Sequence, residues 1–243
     1  MFLNCDLGEG YGPWEKGDDA AAMPHLDWAN IACGGHAGDA DTMARTLELA
    51  RAHGVLAGAH PGYTDRRNFG RVRLDIPIPS LVREVQAQVG GLRAIATAVG
   101  ADLHHVKPHG ALYNAMMADD DILIALAEGV AAIEPDLVFV LQATPDRQHH
   151  ERVLAHTGLR LAFELFADRR YAADGRLESR LIPGSVITDP DRLSEHVRRL
   201  LEGVVETVDG PLPVTGDTLC VHGDNPSAIA ALQRIRELIP RPS

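Results

Sequence analysis

Short apolar runs alternate along the chain with longer stretches in which apolar residues recur every three or four positions. The runs near Phe2–Asp6, Trp28–Ala32, Val55–Ala59, Leu103–Lys107, Leu137–Leu141, Arg160–Glu164 and Thr218–His222 read as strands. Leu81, Val85, Val89, Leu92, Ile95 and Val99 share one helical face. Ile229, Leu232, Ile235 and Ile239 mark a second helix, and Leu193, Val197, Leu200 and Val204 a third. Thr144-Pro145, Asp189-Pro190 and Asn225-Pro226 each set a capping side chain before a proline suited to the first helical turn. Strand followed by helix, repeated, predicts a parallel sheet with helices outside. Seven strands favour an α/β barrel, closed or nearly so, over an open doubly wound sheet.

Composition narrows this further. A chain of 243 residues, 45% hydrophobic, can bury one sizeable core. No linker or repeat interrupts it, so residues 1–243 are expected to form one domain. The N-terminus lacks the basic start and long apolar region of a signal peptide, and no apolar run is long enough to span a bilayer. A cytoplasmic location is expected. A net charge of −11 disfavours nucleic acid and anionic membrane as partners. Cys5, Cys33 and Cys220 cannot all pair, and reduced thiols suit the same compartment. Only Lys16 and Lys107 are lysines, the other basic residues being arginine. A lysine kept within a polar motif points to a need for its compact amine.

The chemistry collects at strand ends. Asp6 closes the first run, and Asn30 lies in the second, ahead of Cys33-Gly-Gly-His36-Ala-Gly-Asp39. His60, Lys107-Pro-His109, Glu164 and His222-Gly-Asp224 end later runs. In parallel α/β folds these positions converge on one face, where active sites form. So many polar strand ends are hard to explain as packing, because unpartnered buried polar groups are costly. Plainer readings exist for single motifs. Asp6 could cap the turn through Glu9 and Gly10. The glycines around His36 could be loop punctuation before a helix capped by Asp39, leaving backbone amides as an anion site. The stretch from Asp65 to Arg71 could be a solvated loop, or a lid carrying arginine to an anion. Asp6, His36, His60, His109 and His222 are all of a type that binds divalent metal, but their spacing gives no separate support. Cysteine-ligated zinc is disfavoured. No P-loop and no nucleophile elbow is present. His53, His149, His150, His156 and His196 carry no assignment.

Taken in order, Leu3-Asn-Cys-Asp6-Leu-Gly-Glu9, Asn30-Ile-Ala-Cys-Gly-Gly-His36-Ala-Gly-Asp39, Gly58-Ala-His60-Pro-Gly62, Asn68-Phe-Gly-Arg71, His105-Val-Lys107-Pro-His109-Gly-Ala-Leu-Tyr113-Asn114, Glu164-Leu-Phe-Ala-Asp168-Arg169 and Cys220-Val-His222-Gly-Asp224 resemble the LamB/YcsF family. The resemblance runs from the first strand to the last helix. It departs at Cys5, where alanine is expected, at Gly35, where a bulky aromatic is usual, and at Leu181-Ile182, where a polar pair is usual. Gly35 is expected to widen the pocket.

The resemblance implies a seven-stranded, distorted TIM-like β/α barrel of the glycoside hydrolase/deacetylase type. It also implies the A subunit of a 5-oxoprolinase, which opens 5-oxo-L-proline to L-glutamate with ATP as cosubstrate and with subunits B and C as partners. Self-association into a homo-oligomer is left open. On this reading Asp6, His60, Lys107, His109 and Glu164 are the catalytic candidates. Asn30, His36, Asn68, Arg71, Asp168, Arg169, Arg180, His222 and Asp224 are the substrate-binding candidates. Asp6, His36 and His60 are candidate ligands for a divalent metal. The alternative is a stand-alone metal-dependent amide or carbohydrate deacetylase on the same barrel.

Overall fold

The computed structural model describes residues 1–222 and 226–241. The elements run β1 Phe2–Leu7, α1 Asp19–Ala22, β2 Trp28–Ala32, α2 Ala40–His53, β3 Leu56–His60, α3 Ile78–Val99, β4 Leu103–Val106, α4 Gly110–Ala118 and α5 Asp120–Ala131. They continue with β5 Val138–Gln142, α6 Arg147–Leu154, β6 Arg160–Phe166, α7 Pro190–Leu201, β7 Val204–Thr207, β8 Gly210–Pro213, β9 Thr218–His222 and α8 Pro226–Leu238. Strands β1 to β6 and β9 close into a parallel barrel, with β9 paired to β1 on one side and β6 on the other. The open sheet is thereby excluded. The seven predicted strands are the seven barrel strands, with ends displaced by at most two residues.

Helix signals hold where cap chemistry is complete. Asp39 accepts from the Thr42 amide at 2.8 Å and starts α2, while Gly54 ends it with a left-handed φ of 67°. Asp189 accepts from the Arg192 amide at 2.8 Å and starts α7. Thr144 does not cap: α6 begins later, after Asp146, and the Thr144 hydroxyl is buried without a partner. Asn225 lies outside the described residues. The third predicted helix is also too long. It stops at Leu201, Gly203 adopts a φ of 79°, and Val204 opens the β7–β8 hairpin instead. The β-branched pair Val204-Val205 favours extended backbone once the helix has been capped.

The barrel interior is layered by the two-residue period of its strands. At the N-terminal end, Trp28, Val138, Val140 and Ala162 form an apolar plug, with Phe2 stacked on Trp28. A polar layer follows. Asn4 Nδ2 donates to Thr218 Oγ1 at 2.8 Å, and Asn30 Nδ2 donates to Asn4 Oδ1 at 2.8 Å. His105 Nε2 donates to Asn30 Oδ1 at 2.7 Å. That ring crosses Gly58, where an added Cβ would lie 2.3 Å from it, so only glycine admits the contact. Outside the barrel, Leu81, Val85, Val89 and Leu92 of α3 are fully buried, each worth about 1.5–3 kcal/mol of burial. No helix among the described residues is long and apolar enough to cross a membrane.

Candidate active site at the C-terminal mouth of the barrel

Above the polar layer sit the strand-end residues. Register places Asp6 beside both Asn30 and His222. Asp6 Oδ1 accepts from Asn30 Nδ2 at 2.7 Å and from the Lys107 ammonium at 2.8 Å. These bonds displace the turn-cap reading of Asp6. Lys107 also donates to Cys220 Sγ at 3.0 Å and stands 2.8 Å from Glu164 Oε2, an ion-pair contact that leaves this oxygen without a hydrogen bond. Glu164 Oε1 accepts from the Tyr113 hydroxyl at 2.9 Å. Asp6, Lys107 and Glu164 are all buried.

Burial pulls the Lys107 pKa down, but Asp6, Cys220 and Glu164 outweigh it and hold the ammonium well above its ordinary value. For Asp6 burial works upward, and His60 and Lys107 overcome it, keeping the carboxyl well below the carboxylate range. Burial pushes the Cys220 thiol well up. The centre is therefore an ammonium against an ionised Asp6, with a neutral thiol beside it.

His60, His36 and His109 form the second half of the site. A carbonyl oxygen only accepts, so His60 Nδ1 donates to the Lys107 carbonyl at 2.6 Å and His109 Nε2 donates to the Phe69 carbonyl at 2.9 Å. The remaining nitrogens, His60 Nε2 and His109 Nδ1, face each other at 2.9 Å. His60 Nε2 is also 3.4 Å from Asp6 Oδ2. The His36 ring stacks on His109 at 3.6 Å, and both of its nitrogens are buried without a hydrogen-bond partner. Glu9 Oε1 lies 3.4 Å from His36 Nε2 and 3.7 Å from His109 Nδ1. Burial holds His36 and His109 well below the ordinary histidine value. The loop between β3 and α3 covers this cluster. Gly70 presses on His36 and His109, and Phe69 takes a left-handed φ of 55° to present its carbonyl.

Among the described residues, two groups of side chains could hold a metal ion: Glu9, His36, His60 and His109, and separately Asp6, Cys220 and His222. Of the expected set, His36 and His60 fall in the first group and Asp6 in the second. Asp6 Oδ1 is committed to Lys107 and Asn30, and Glu9 and His109 complete the histidine cluster instead. The second group already carries the Lys107 ammonium, which opposes a cation there.

The remaining predicted residues divide. Asp168, fully buried, accepts from His222 Nδ1 at 2.8 Å. Burial would raise Asp168, but His222 leads the groups that hold it low. Arg169 is buried, and burial followed by repulsion from Arg180 lowers it to about 10, with Arg71 also contributing. Three guanidiniums therefore act on one region. Asn30 serves the polar layer from deep inside the barrel. Asn68 stands apart, exposed and bonded to Asp65 through its side chain. Asp224 lies outside the described residues. Two amides of the glycine loop are already engaged: Gly34 donates to the Ala37 carbonyl and Gly38 to that of Gly10. Arg66 of the loop after β3 is spent on the Gly34 and Gly38 carbonyls.

Gly35 does not widen a pocket. The Gln88 amide fills the space, 2.4 Å from where a Gly35 Cβ would sit, and clamps Gly62 by donating to its carbonyl at 2.8 Å and accepting from its amide at 3.1 Å. Glu9, Tyr113, Cys220 and Gln88 have no assigned role in the sequence reading. The first three lie inside its motifs, and only their partners reveal what they do.

The relatives of the chain agree with this architecture. It is 46% identical to the second 5-oxoprolinase A subunit of Pseudomonas putida over 242 residues, covering 98% of this chain and 93% of that one. It is 44% identical to the third 5-oxoprolinase A subunit of Pseudomonas aeruginosa, covering 97% and 95%. The lactam utilization protein from Thermus thermophilus superposes with a TM-score of 0.88 at 39% identity, covering 98% and 96%. A β-mannanase from Alicyclobacillus acidocaldarius, at 12% identity and a TM-score of 0.55 over 98% and 97% of the two chains, shares the fold alone. With the LamB/YcsF family model matching residues 1–242, the chain belongs to the LamB/YcsF family.

Proposed function

We propose that this chain is the A subunit of an ATP-dependent 5-oxoprolinase, opening 5-oxo-L-proline to L-glutamate together with subunits B and C in the cytoplasm. The observation that carries the reading is the buried Asp6–Lys107–Glu164 centre with a histidine–aspartate pair beside it, in a chain whose relatives bear that name.

An unstrained five-membered lactam resists hydrolysis, so its opening gains from coupling to ATP. Phosphorylation of the amide oxygen makes the ring carbon electrophilic. Addition of water, followed by departure of the protonated nitrogen, opens the ring and leaves an acyl phosphate. A second water releases glutamate and phosphate. The chain has no P-loop, and we assign phosphoryl transfer to the partner subunits and ring opening to this one.

Ring opening needs a base and an acid at one point. Asp6 Oδ2, turned toward His60 while Oδ1 is committed, is the acceptor for water. His222 offers the acid. Its Nδ1 is held by Asp168, and one ring nitrogen lies within 4.8 Å of an Asp6 oxygen. Asp168 fixes the orientation of the His222 ring by accepting from Nδ1, as a buried aspartate does in a hydrolase triad. Lys107 gives two of its protons to Asp6 and Cys220. It fixes Asp6 and supplies positive potential in a dry site. Arg71, Arg169 and Arg180 suit the ring carboxylate or the phosphate, since guanidinium binds both through paired donors.

The histidine cluster favours a second reading, a metal-dependent deacetylase. Turnover assays with and without ATP, and with and without B and C, separate the two. The expected result is glutamate production only with ATP and all three subunits, reduced by about 10² or more in Asp6→Asn with unchanged circular dichroism. Robust glutamate production by this chain alone, or near-normal turnover of Asp6→Asn, overturns the assignment.

A further inference from the structure

The histidine cluster holds nitrogens whose lone pairs the protein itself leaves unmatched. His60 and His109 each commit one ring nitrogen as donor to a backbone carbonyl. In neutral rings the other two nitrogens bear lone pairs, yet they point at each other across 2.9 Å. Such a contact repels unless a proton or a cation lies at it. His36, packed against the same pair, has two buried nitrogens with no partner, an arrangement that costs stability if nothing binds there. Glu9 brings a carboxylate oxygen within 3.4 and 3.7 Å of two of these rings. One proton satisfies the His60–His109 contact but leaves His36 unanswered, whereas a cation answers all four side chains.

We propose that Glu9, His36, His60 and His109 form a binding site for one divalent first-row cation of the zinc type. The ligand class follows from the donors. Three imidazoles and one carboxylate match zinc and its neighbours, whereas magnesium and calcium take oxygen ligands. The backbone already supplies the outer support typical of such sites, because carbonyl acceptors on His60 Nδ1 and His109 Nε2 fix the tautomers and aim the opposite nitrogens inward. Ligand atoms of a tetrahedral zinc site stand roughly 3.3 Å apart. The three measured separations, 2.9, 3.4 and 3.7 Å, bracket this value, and the group as a whole falls within 4.8 Å. Side-chain rotation closes the difference, with the stacked His36 and His109 rings splaying to bring both lone pairs onto one ion. Gly62 and Gly70, where a Cβ would stand 2.8 and 2.7 Å from His36, leave no room for bulkier residues around it.

The inference stands on the cluster's own geometry and does not depend on the lactam reading. His156, exposed and bonded to Glu128 Oε1, lies outside the cluster and provides the control. The full-length chain, stripped with chelator, is dialysed against Zn²⁺ and its metal content measured by mass spectrometry. A parallel sample is titrated with Co²⁺ and followed by its visible ligand-field absorption. Wild type and His156→Asn are expected to retain one equivalent of Zn²⁺, to show the Co²⁺ bands and to melt higher with metal. His36→Asn and Glu9→Gln, with folding checked by circular dichroism, are expected to bind at least 10²-fold more weakly, beyond what loss of an outer-sphere partner causes. No stoichiometric Zn²⁺ or Co²⁺ in the wild type overturns the proposal, as does undiminished binding by both cluster variants. Metal binding by this chain together with no glutamate production even with ATP and subunits B and C would overturn the function proposed above and leave this one intact.

Discussion

Replacing Lys107 with methionine keeps most of the side chain's volume and removes its charge. Asp6 and Glu164, which meet the ammonium at 2.8 Å each, are then left in the barrel without their cation. Breaking a buried ion pair from one side costs about 3–5 kcal/mol. In a chain of this size each kcal/mol moves the melting temperature by about 2–4 °C, so a fall of roughly 6–20 °C is expected. Glu164→Gln in the same background relieves part of that cost, and the coupling measured by the double-mutant cycle should exceed about 0.5 kcal/mol. Lys107→Arg tests something different. It keeps the charge, but a broad planar guanidinium cannot hold that charge at one compact point between Asp6, Glu164 and Cys220 as the ammonium does. Overpacking of this kind costs about 1–3 kcal/mol, and turnover in the full complex should drop by about 10² or more. Scanning calorimetry and glutamate release measure the two effects. Methionine melting within 2 °C of wild type, a margin below the roughly 6 °C expected, refutes the ion-pair account. Wild-type turnover in a stable arginine variant removes Lys107 from the catalytic machinery and leaves it a counter-charge.

Gly35→Ala should destabilise by about 1–3 kcal/mol through overpacking, because its Cβ would displace the Gln88 amide from Gly62. The penalty should shrink in a Gln88→Ala background, and additive effects in urea unfolding would dismiss the coupling. Stability should also fall as pH drops from 7 to 5. His105 is held neutral chiefly by burial, well below the ordinary histidine value, while the unfolded chain takes up that proton below about pH 6.5. The unfolded state then binds more protons, so acid favours it, by up to about 1.4 kcal/mol per pH unit for this one group. His105→Gln, which can still donate to Asn30, should flatten the profile by that amount; an unchanged slope would show that His105 contributes nothing to it.

Much of the architecture is legible in the sequence because two periodicities carry it. The seven apolar runs are the seven barrel strands, and the polar residues that end them meet at the mouth, because parallel strands share a C-terminal face. The failures are equally physical. Apolar spacing cannot distinguish a fourth helical turn from a new strand, so Val204 reads as part of α7 although Gly203 has already ended it. Asn4, His105 and Thr218 read as ordinary polar positions in or at the ends of strands. Nothing local reveals that all three point inward and bond across the barrel, because those contacts depend on closure.

Glu9 is hidden for a related reason. It follows Gly8, whose φ of 67° turns the chain back over the barrel, so a residue that reads as part of a turn is delivered to His36 and His109. Asp6, two residues past Asn4 on the same face of β1, has the clearer signal, and ligand type alone makes it the natural third donor to a metal. Its Oδ1 accepts from one ammonium and one amide, and its Oδ2 stands 3.4 Å from His60 Nε2. The same carboxylate cannot both anchor Lys107 and complete a cation site without bringing two positive charges together in a dry interior. The fold separates them: Asp6 faces the lysine, and Glu9, arriving from a loop, faces the imidazoles. This division of two acidic residues only three positions apart decides which half of the site is an ion pair and which is open to a cation.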